Sequence, residues 1–144
     1  MAEYNSIIKV LLVEDDPRHV RLIQDLLAET RGVPFIVECA YDLAMGRALL
    51  QEEDVDVILL DLMLPDSKGL DTFVHMQAQA LDMPIVVLTG LDDEATGVKA
   101  VQQGAQDYLI KDFVDGGLLA RAMRYAIERK RTEVELRRYR DHLK

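Results

Sequence analysis

Five short apolar runs punctuate the sequence: IIKVLLV (7–13), FIVECA (35–40), VDVILL (55–60), IVVL (85–88) and DYLI (107–110). Each is followed by a segment whose apolar residues fall three and four apart, the spacing of one helix face. Val20, Ile23, Leu26 and Leu27 mark the first helix, with Asp16 as its N-cap and Pro17 at its first position. The second runs from about Asp42 to Glu52, and the third carries Leu70, Phe73 and Val74. The fourth, from about Asp93 to Gln103, contains Gly97 and is marginal for that reason. The fifth starts near Asp115 and continues toward the C-terminus. Strands that alternate with helices pair in parallel, and the crossover helices cover both faces of the sheet. The runs at 57–60 and 85–88 are solidly apolar, as inner parallel strands are.

The expected fold is therefore α/β. It is a single doubly wound five-stranded parallel sheet of order 2-1-3-4-5, flavodoxin-like, with five helices, the last extended. A chain of 144 residues, 49% apolar and 30% charged, suits one globular domain. No apolar run is long enough to span a membrane. The opening MAEYNS lacks the basic and then apolar pattern of a secretory signal, and Cys39 is the single cysteine, so no internal disulfide forms. A cytoplasmic location is expected.

Charge is distributed unevenly. The segment from Arg121 to the end carries nine Lys/Arg and four Asp/Glu, net +5, and the rest is net −14. An acidic body argues against nucleic-acid binding by this domain. The basic tail reads as a solvated helix face rather than a site for an anionic partner. From Gly117 to Lys144 a continuous helix would be about 42 Å long, longer than a domain about 35 Å across. So the helix should overhang. In the overhang Leu136, Tyr139 and Leu143 are spaced three and four apart, which fits either the start of a coiled-coil seam or a frayed charged end.

Polar residues close four of the five strands: Glu14, Asp15 and Asp16 after the first, Asp61 after the third, Thr89 after the fourth and Lys111 after the fifth. Ligands of open α/β sheets bind outside the carboxyl ends of the strands, where the winding reverses. With the order 2-1-3-4-5, Glu14, Asp15 and Asp61 converge there, and Thr89 and Lys111 join the rim. Gathered carboxylates repel one another, and Mg²⁺ with its preference for carboxylates, water and phosphoryl oxygens offsets that. Asp61 beside such an ion can attack a phosphoryl group and hold it as an acyl phosphate. Lys111 and Thr89 supply the charge and the donor that the group needs. Asp16 is assigned to helix capping rather than to the metal.

The segments LLVEDDP, LLDLMLPDSKG, VVLTG and DYLIKDF, in this order, resemble those of receiver domains of two-component response regulators, over about residues 7 to 127. The resemblance implies that Glu14 and Asp15 hold Mg²⁺ together with Asp61 and the backbone carbonyl of Met63. It makes Asp61 the phosphoacceptor, Thr89 and Lys111 its partners, Thr89 and Tyr108 the switch pair, and Pro65 and Gly69 loop residues. The phosphodonor would be a histidine kinase or a histidine phosphotransfer protein. On this reading residues 1–127 are the receiver domain and 128–144 extend helix 5 as a linker or coiled-coil start. A homodimer through the helix 4–strand 5–helix 5 face or through the overhang is left open. The family often has Pro after the Lys, in a cis bond. Asp112 stands there instead, and a cis bond to a non-proline costs about 3 kcal/mol, so a trans bond and a rearranged loop are expected.

The expected function is a signalling phosphoacceptor that assists its own phosphorylation and dephosphorylation, not an enzyme. The alternative is a phosphorylation-independent interaction module of the same fold. A flavodoxin-like flavin binder would need a Ser/Thr/Gly-rich loop after strand 1, where this chain is acidic. A haloacid-dehalogenase-type phosphatase usually wants D-x-D at its nucleophile, and Asp61 is followed by Leu62 and Met63. His19, His75 and His142 lack metal spacing and are expected at the surface.

Overall fold

The computed structural model describes residues 7–32 and 34–143. The placement of residues 1–6 in the domain and the last residue of the helical extension lie outside the described residues. The five sheet strands are β1 (Ile8–Val13), β2 (Phe35–Ala40), β3 (Val57–Asp61), β4 (Ile85–Thr89) and β5 (Asp107–Ile110). They pair in parallel in the order β2-β1-β3-β4-β5. The helices are α1 (Pro17–Ala28), α2 (Leu43–Glu52), α3 (Leu70–Gln79), α4 (Glu94–Gln102) and α5 (Gly116–His142). The fold is the doubly wound sheet that the strand–helix alternation predicts.

Side-chain alternation along each strand divides the core in two. Leu11, Val13, Ile58, Leu60, Ile85 and Val87 pack beneath α2, α3 and α4 with Phe73 and Met76. Val10, Leu12, Val57, Leu59, Val86 and Leu88 pack on the other face against Val20 and Ile23 of α1 and Leu119 and Met123 of α5. Every residue of β3 and β4 is buried, whereas β2, which pairs with β1 alone, alternates half-buried with exposed up to the buried Ala40.

The boundaries sharpen the sequence assignments. Asp61 and Thr89 are the last residues of their strands rather than the first of the following loops. Asp42 and Asp115 are N-caps, accepting from the backbone amides of Met45 at 2.7 Å and Leu118 at 2.7 Å. The segment before α4 is a 3-10 turn over Leu91–Asp93. A small antiparallel ribbon, Met63–Leu64 with Ser67–Lys68, follows β3 and was not foreseen. Gly69 closes it at a φ of 72°, a region that L side chains avoid, and its amide donates to the Leu62 carbonyl at 2.6 Å.

The overhang of α5 is a continuous helix through His142, tied back to the body by residues 129 to 137. Arg129 donates to the Gln106 carbonyl at 2.9 Å, Gln106 donates to the Glu133 carboxylate at 3.3 Å, and Arg137 pairs with Asp82. Leu136, Tyr139 and Leu143 are 62%, 64% and 67% exposed. No helix among the described residues is long and apolar enough to cross a membrane.

Candidate functional site

The site lies where β1 and β3, neighbours in the sheet, end beside each other at the reversal of winding. Glu14 follows β1 immediately, its amide held by the Ala40 carbonyl at 2.9 Å. Asp61 ends β3. One carboxylate oxygen each from Glu14, Asp15 and Asp61 lies within 4.8 Å of the others. Glu14 and Asp61 are buried, and Asp15 is exposed. Asp16 is not of this group. It caps α1, accepting from the Arg18 amide at 2.9 Å, and the Arg18 guanidinium holds its carboxyl well below the usual range.

Lys111, directly after β5, reaches across to both buried acids. Its Nζ lies 2.6 Å from Asp61 Oδ2 and 2.7 Å from Glu14 Oε1. Burial by itself pushes the Lys111 ammonium toward its neutral form, but Asp61 and Glu14 outweigh that and raise its pKa. Glu14 is pushed well above the carboxylate range, first by burial and then by neighbouring Asp61, with Lys111 only partly opposing. A buried acid so placed is short of positive charge. The other Asp61 oxygen, Oδ1, accepts from the Met63 amide at 3.0 Å, which orients the carboxylate.

These donors suit a hard, oxygen-preferring ion. Two buried carboxylates and one exposed carboxylate, converging with one open side, are the chemistry that Mg²⁺ accepts, with water filling its remaining positions. Glu14, Asp15 and Asp61 would hold it, and the Met63 carbonyl, on the exposed ribbon beside them, is the further candidate.

Thr89 supplies an independent indication. Its hydroxyl is buried, yet Oγ1 has no hydrogen-bond partner. A buried hydroxyl left unsatisfied carries a desolvation penalty. A group bound at the strand ends would relieve it. The Lys111–Asp112 peptide is trans, as are all peptides among the described residues, and Lys111–Phe113 forms a 3-10 turn.

Three functional neighbours were not foreseen. His19, expected at the surface, is half-buried, with Nδ1 3.4 Å from Glu14 Oε1 and 3.5 Å from Asp16 Oδ2. Its place in the first turn of α1 puts it beside the acidic loop, three residues from Asp16 and five from Glu14. Asp66, between Pro65 and the second strand of the ribbon, accepts from the amides of Leu43 at 2.8 Å and Ala44 at 3.0 Å. It thereby ties the ribbon after Asp61 to the N-terminus of α2. Glu94, the first residue of α4, accepts from the Tyr108 hydroxyl at 2.8 Å. Capping and acid-rich helix starts are legible in sequence, whereas the partners of Asp66 and Glu94 lie 14 to 23 residues away.

Comparison with known proteins agrees with the architecture. The family model for the response regulator receiver domain matches residues 10–123. The transcriptional regulatory protein CpxR of Klebsiella pneumoniae is 39% identical over 113 residues, 78% of this chain and 47% of CpxR. CusR of Escherichia coli, also a transcriptional regulatory protein, is 37% identical over 113 residues, 78% of this chain and 48% of CusR. The chain thus spans about half the length of these relatives. Among solved structures, the signal receiver domain of an HD domain-containing protein from Pseudomonas fluorescens superposes with a TM-score of 0.76 at 27% identity. That match covers 89% of this chain and 92% of the other.

Proposed function

The chain belongs to the receiver-domain family of response regulators, and on that footing we propose that Asp61 accepts a phosphoryl group from the phosphohistidine of a partner. The partner is a histidine kinase or a histidine phosphotransfer protein. The main support is the convergence at the strand ends: two buried acids, a third at the rim, the Lys111 ammonium at 2.6 Å and 2.7 Å, and the unsatisfied Thr89 hydroxyl.

In the proposed reaction an Asp61 carboxylate oxygen attacks phosphorus in line, the P–N bond breaks, and the histidine nitrogen leaves with the electron pair. Mg²⁺, when bound, supplies positive charge against the phosphoryl oxygens. Lys111 moves from its carboxylate pairing to the same oxygens, and the Thr89 hydroxyl donates to one of them. The chain thereby assists its own phosphorylation and dephosphorylation and turns over no separate substrate. Tyr108 then turns toward the space beside Thr89, and the α4–β5–α5 face changes with it. Residues 1–127 carry this chemistry in a cytoplasmic signalling protein, and 128–144 extend α5 as a linker. Pairing of two chains would use the α4–β5–α5 face or the stripe of Leu136, Tyr139 and Leu143.

Met63 and Leu91 are 43% and 53% exposed and flank the site two residues beyond Asp61 and Thr89. Neither side chain can position an attacking water, so the acyl phosphate is expected to persist for longer than seconds in purified protein. The test of function is hydrogen exchange with and without fluoroberyllate and Mg²⁺, a mimic of the acyl phosphate. Altered protection on α4 and around Tyr108 is the expected result. Binding without any such change would leave an inert acceptor, and no binding would favour the phosphorylation-independent module.

A further inference from the structure

Thr89 and Tyr108 share a face of the sheet. Pairing of β4 with β5 sets Val87 beside Tyr108 and Thr89 beside Ile110. Side chains alternate along a strand, so Thr89 points to the same side as Val87, the side covered by α2, α3 and α4, against whose core Tyr108 packs. The unpartnered Thr89 hydroxyl and the Tyr108 ring are therefore one diagonal step apart. Yet the Tyr108 hydroxyl does not bond Thr89, whose Oγ1 has no partner. The ring lies on α4, so close to Gly97 that a Cβ there would come within 3.0 Å of the ring atoms Cγ and Cδ2. Its hydroxyl donates to Glu94 Oε2 at 2.8 Å. Glu94 and Gly97, three apart, stand on one face of α4, so a single helix face provides both the flat seat and the polar anchor.

We infer that Glu94 and Gly97 are positioning residues for Tyr108, holding its ring on α4 and away from Thr89 until a phosphoryl group draws Thr89 toward the site. The inference rests on the proposed phosphoacceptor role of Asp61 and adds what sets its coupling. Coupling is reciprocal: an anchor that favours the outward ring weakens binding at Asp61 by the same factor that binding weakens the anchor. The anchor is a charge-assisted hydrogen bond at an exposed position, so the effect is modest.

Two readings test it. The first is the chemical shift of the Gly97 α-protons, displaced by the aromatic ring in the unliganded protein. The second is the affinity for fluoroberyllate with Mg²⁺. Glu94→Ala should move the Gly97 signals toward unshifted positions and tighten fluoroberyllate binding about fivefold, the worth of one such bond. Tyr108→Phe should tighten it similarly, and Glu94→Ala with Tyr108→Phe should add nothing to either alone. Glu94→Gln, which keeps an acceptor at the same reach, should stay closer to the parent protein. Unchanged affinity in Glu94→Ala, or full additivity in the double variant, overturns the inference. If the parent protein binds no fluoroberyllate, the phosphoacceptor reading itself fails. The Gly97 signals then decide the seat alone, and their indifference to Glu94→Ala refutes it.

Discussion

Asp66 shows how one carboxylate can fix a loop that carries chemistry. The ribbon from Met63 to Lys68 must stay against Asp61, and Asp66 ties it to the two free amides at the start of α2. Burial alone would raise its pKa, but the amides of Leu43, Ala44 and its own residue outweigh that and hold the carboxyl below its ordinary value. The stability it contributes is then complete above the ordinary carboxylate range and is lost as pH falls through the lowered folded-state value. Asp66→Ala should destabilise by about 1–2 kcal/mol near neutrality, and urea melts should show the difference from the parent protein shrinking in acid. A difference that does not change with pH would remove the charged cap from the account. Pro65 and Gly69 are legible in the sequence as loop residues, whereas the role of Asp66 is not, because no local pattern reports a cap supplied from a distant loop. By contrast Glu14, Asp15, Asp61, Thr89 and Lys111 each end or follow a strand, so the strand order alone brings them together.

At the scale of elements, α4 is the informative case. Gly97 reads in the sequence as a weak point of the helix, and the structure supplies the reason for it in the ring of Tyr108. Gly97→Ala should therefore lower stability: the new methyl meets Tyr108 Cβ, Cγ and Cδ2 at 3.0–3.1 Å, atoms at the base of the side chain that have little room to yield, and overpacking of about 1–3 kcal/mol offsets or exceeds the roughly 1 kcal/mol gained in helix propensity. With Tyr108→Ala the obstruction is gone, and the same substitution should stabilise by up to about 1 kcal/mol. Denaturant melts of the four proteins measure both signs, and a stabilising Gly97→Ala in the parent background would contradict the packing. The overhang of α5 was legible as length alone. Its anchors, Arg129 and Glu133 on Gln106 and Arg137 on Asp82, depend on which side of the domain the helix passes. The Arg137 pair is exposed, so Arg137→Ala should change stability by less than about 1 kcal/mol, read in the same melts.

For the whole molecule, a core buries both faces of the sheet while its carboxyl end collects like charges. A divalent ion held by Glu14, Asp15 and Asp61 would relieve that repulsion and favour the folded chain. At ten times its dissociation constant Mg²⁺ should stabilise by about 1.4 kcal/mol, visible as a rise in melting temperature that EDTA reverses. Asp15→Asn should largely abolish the rise. The sheet order and the meeting of distant acids followed from strand–helix alternation and from the resemblance of four segments. Orientations within the site did not, because they depend on tertiary angles, as His19 beside Glu14 illustrates. The most direct test of the central claim is intact mass after incubation with acetyl phosphate and Mg²⁺. The account predicts one phosphoryl group per chain in the parent protein and none in Asp61→Asn or in EDTA. Equal phosphorylation of Asp61→Asn, or none in the parent protein, would contradict it.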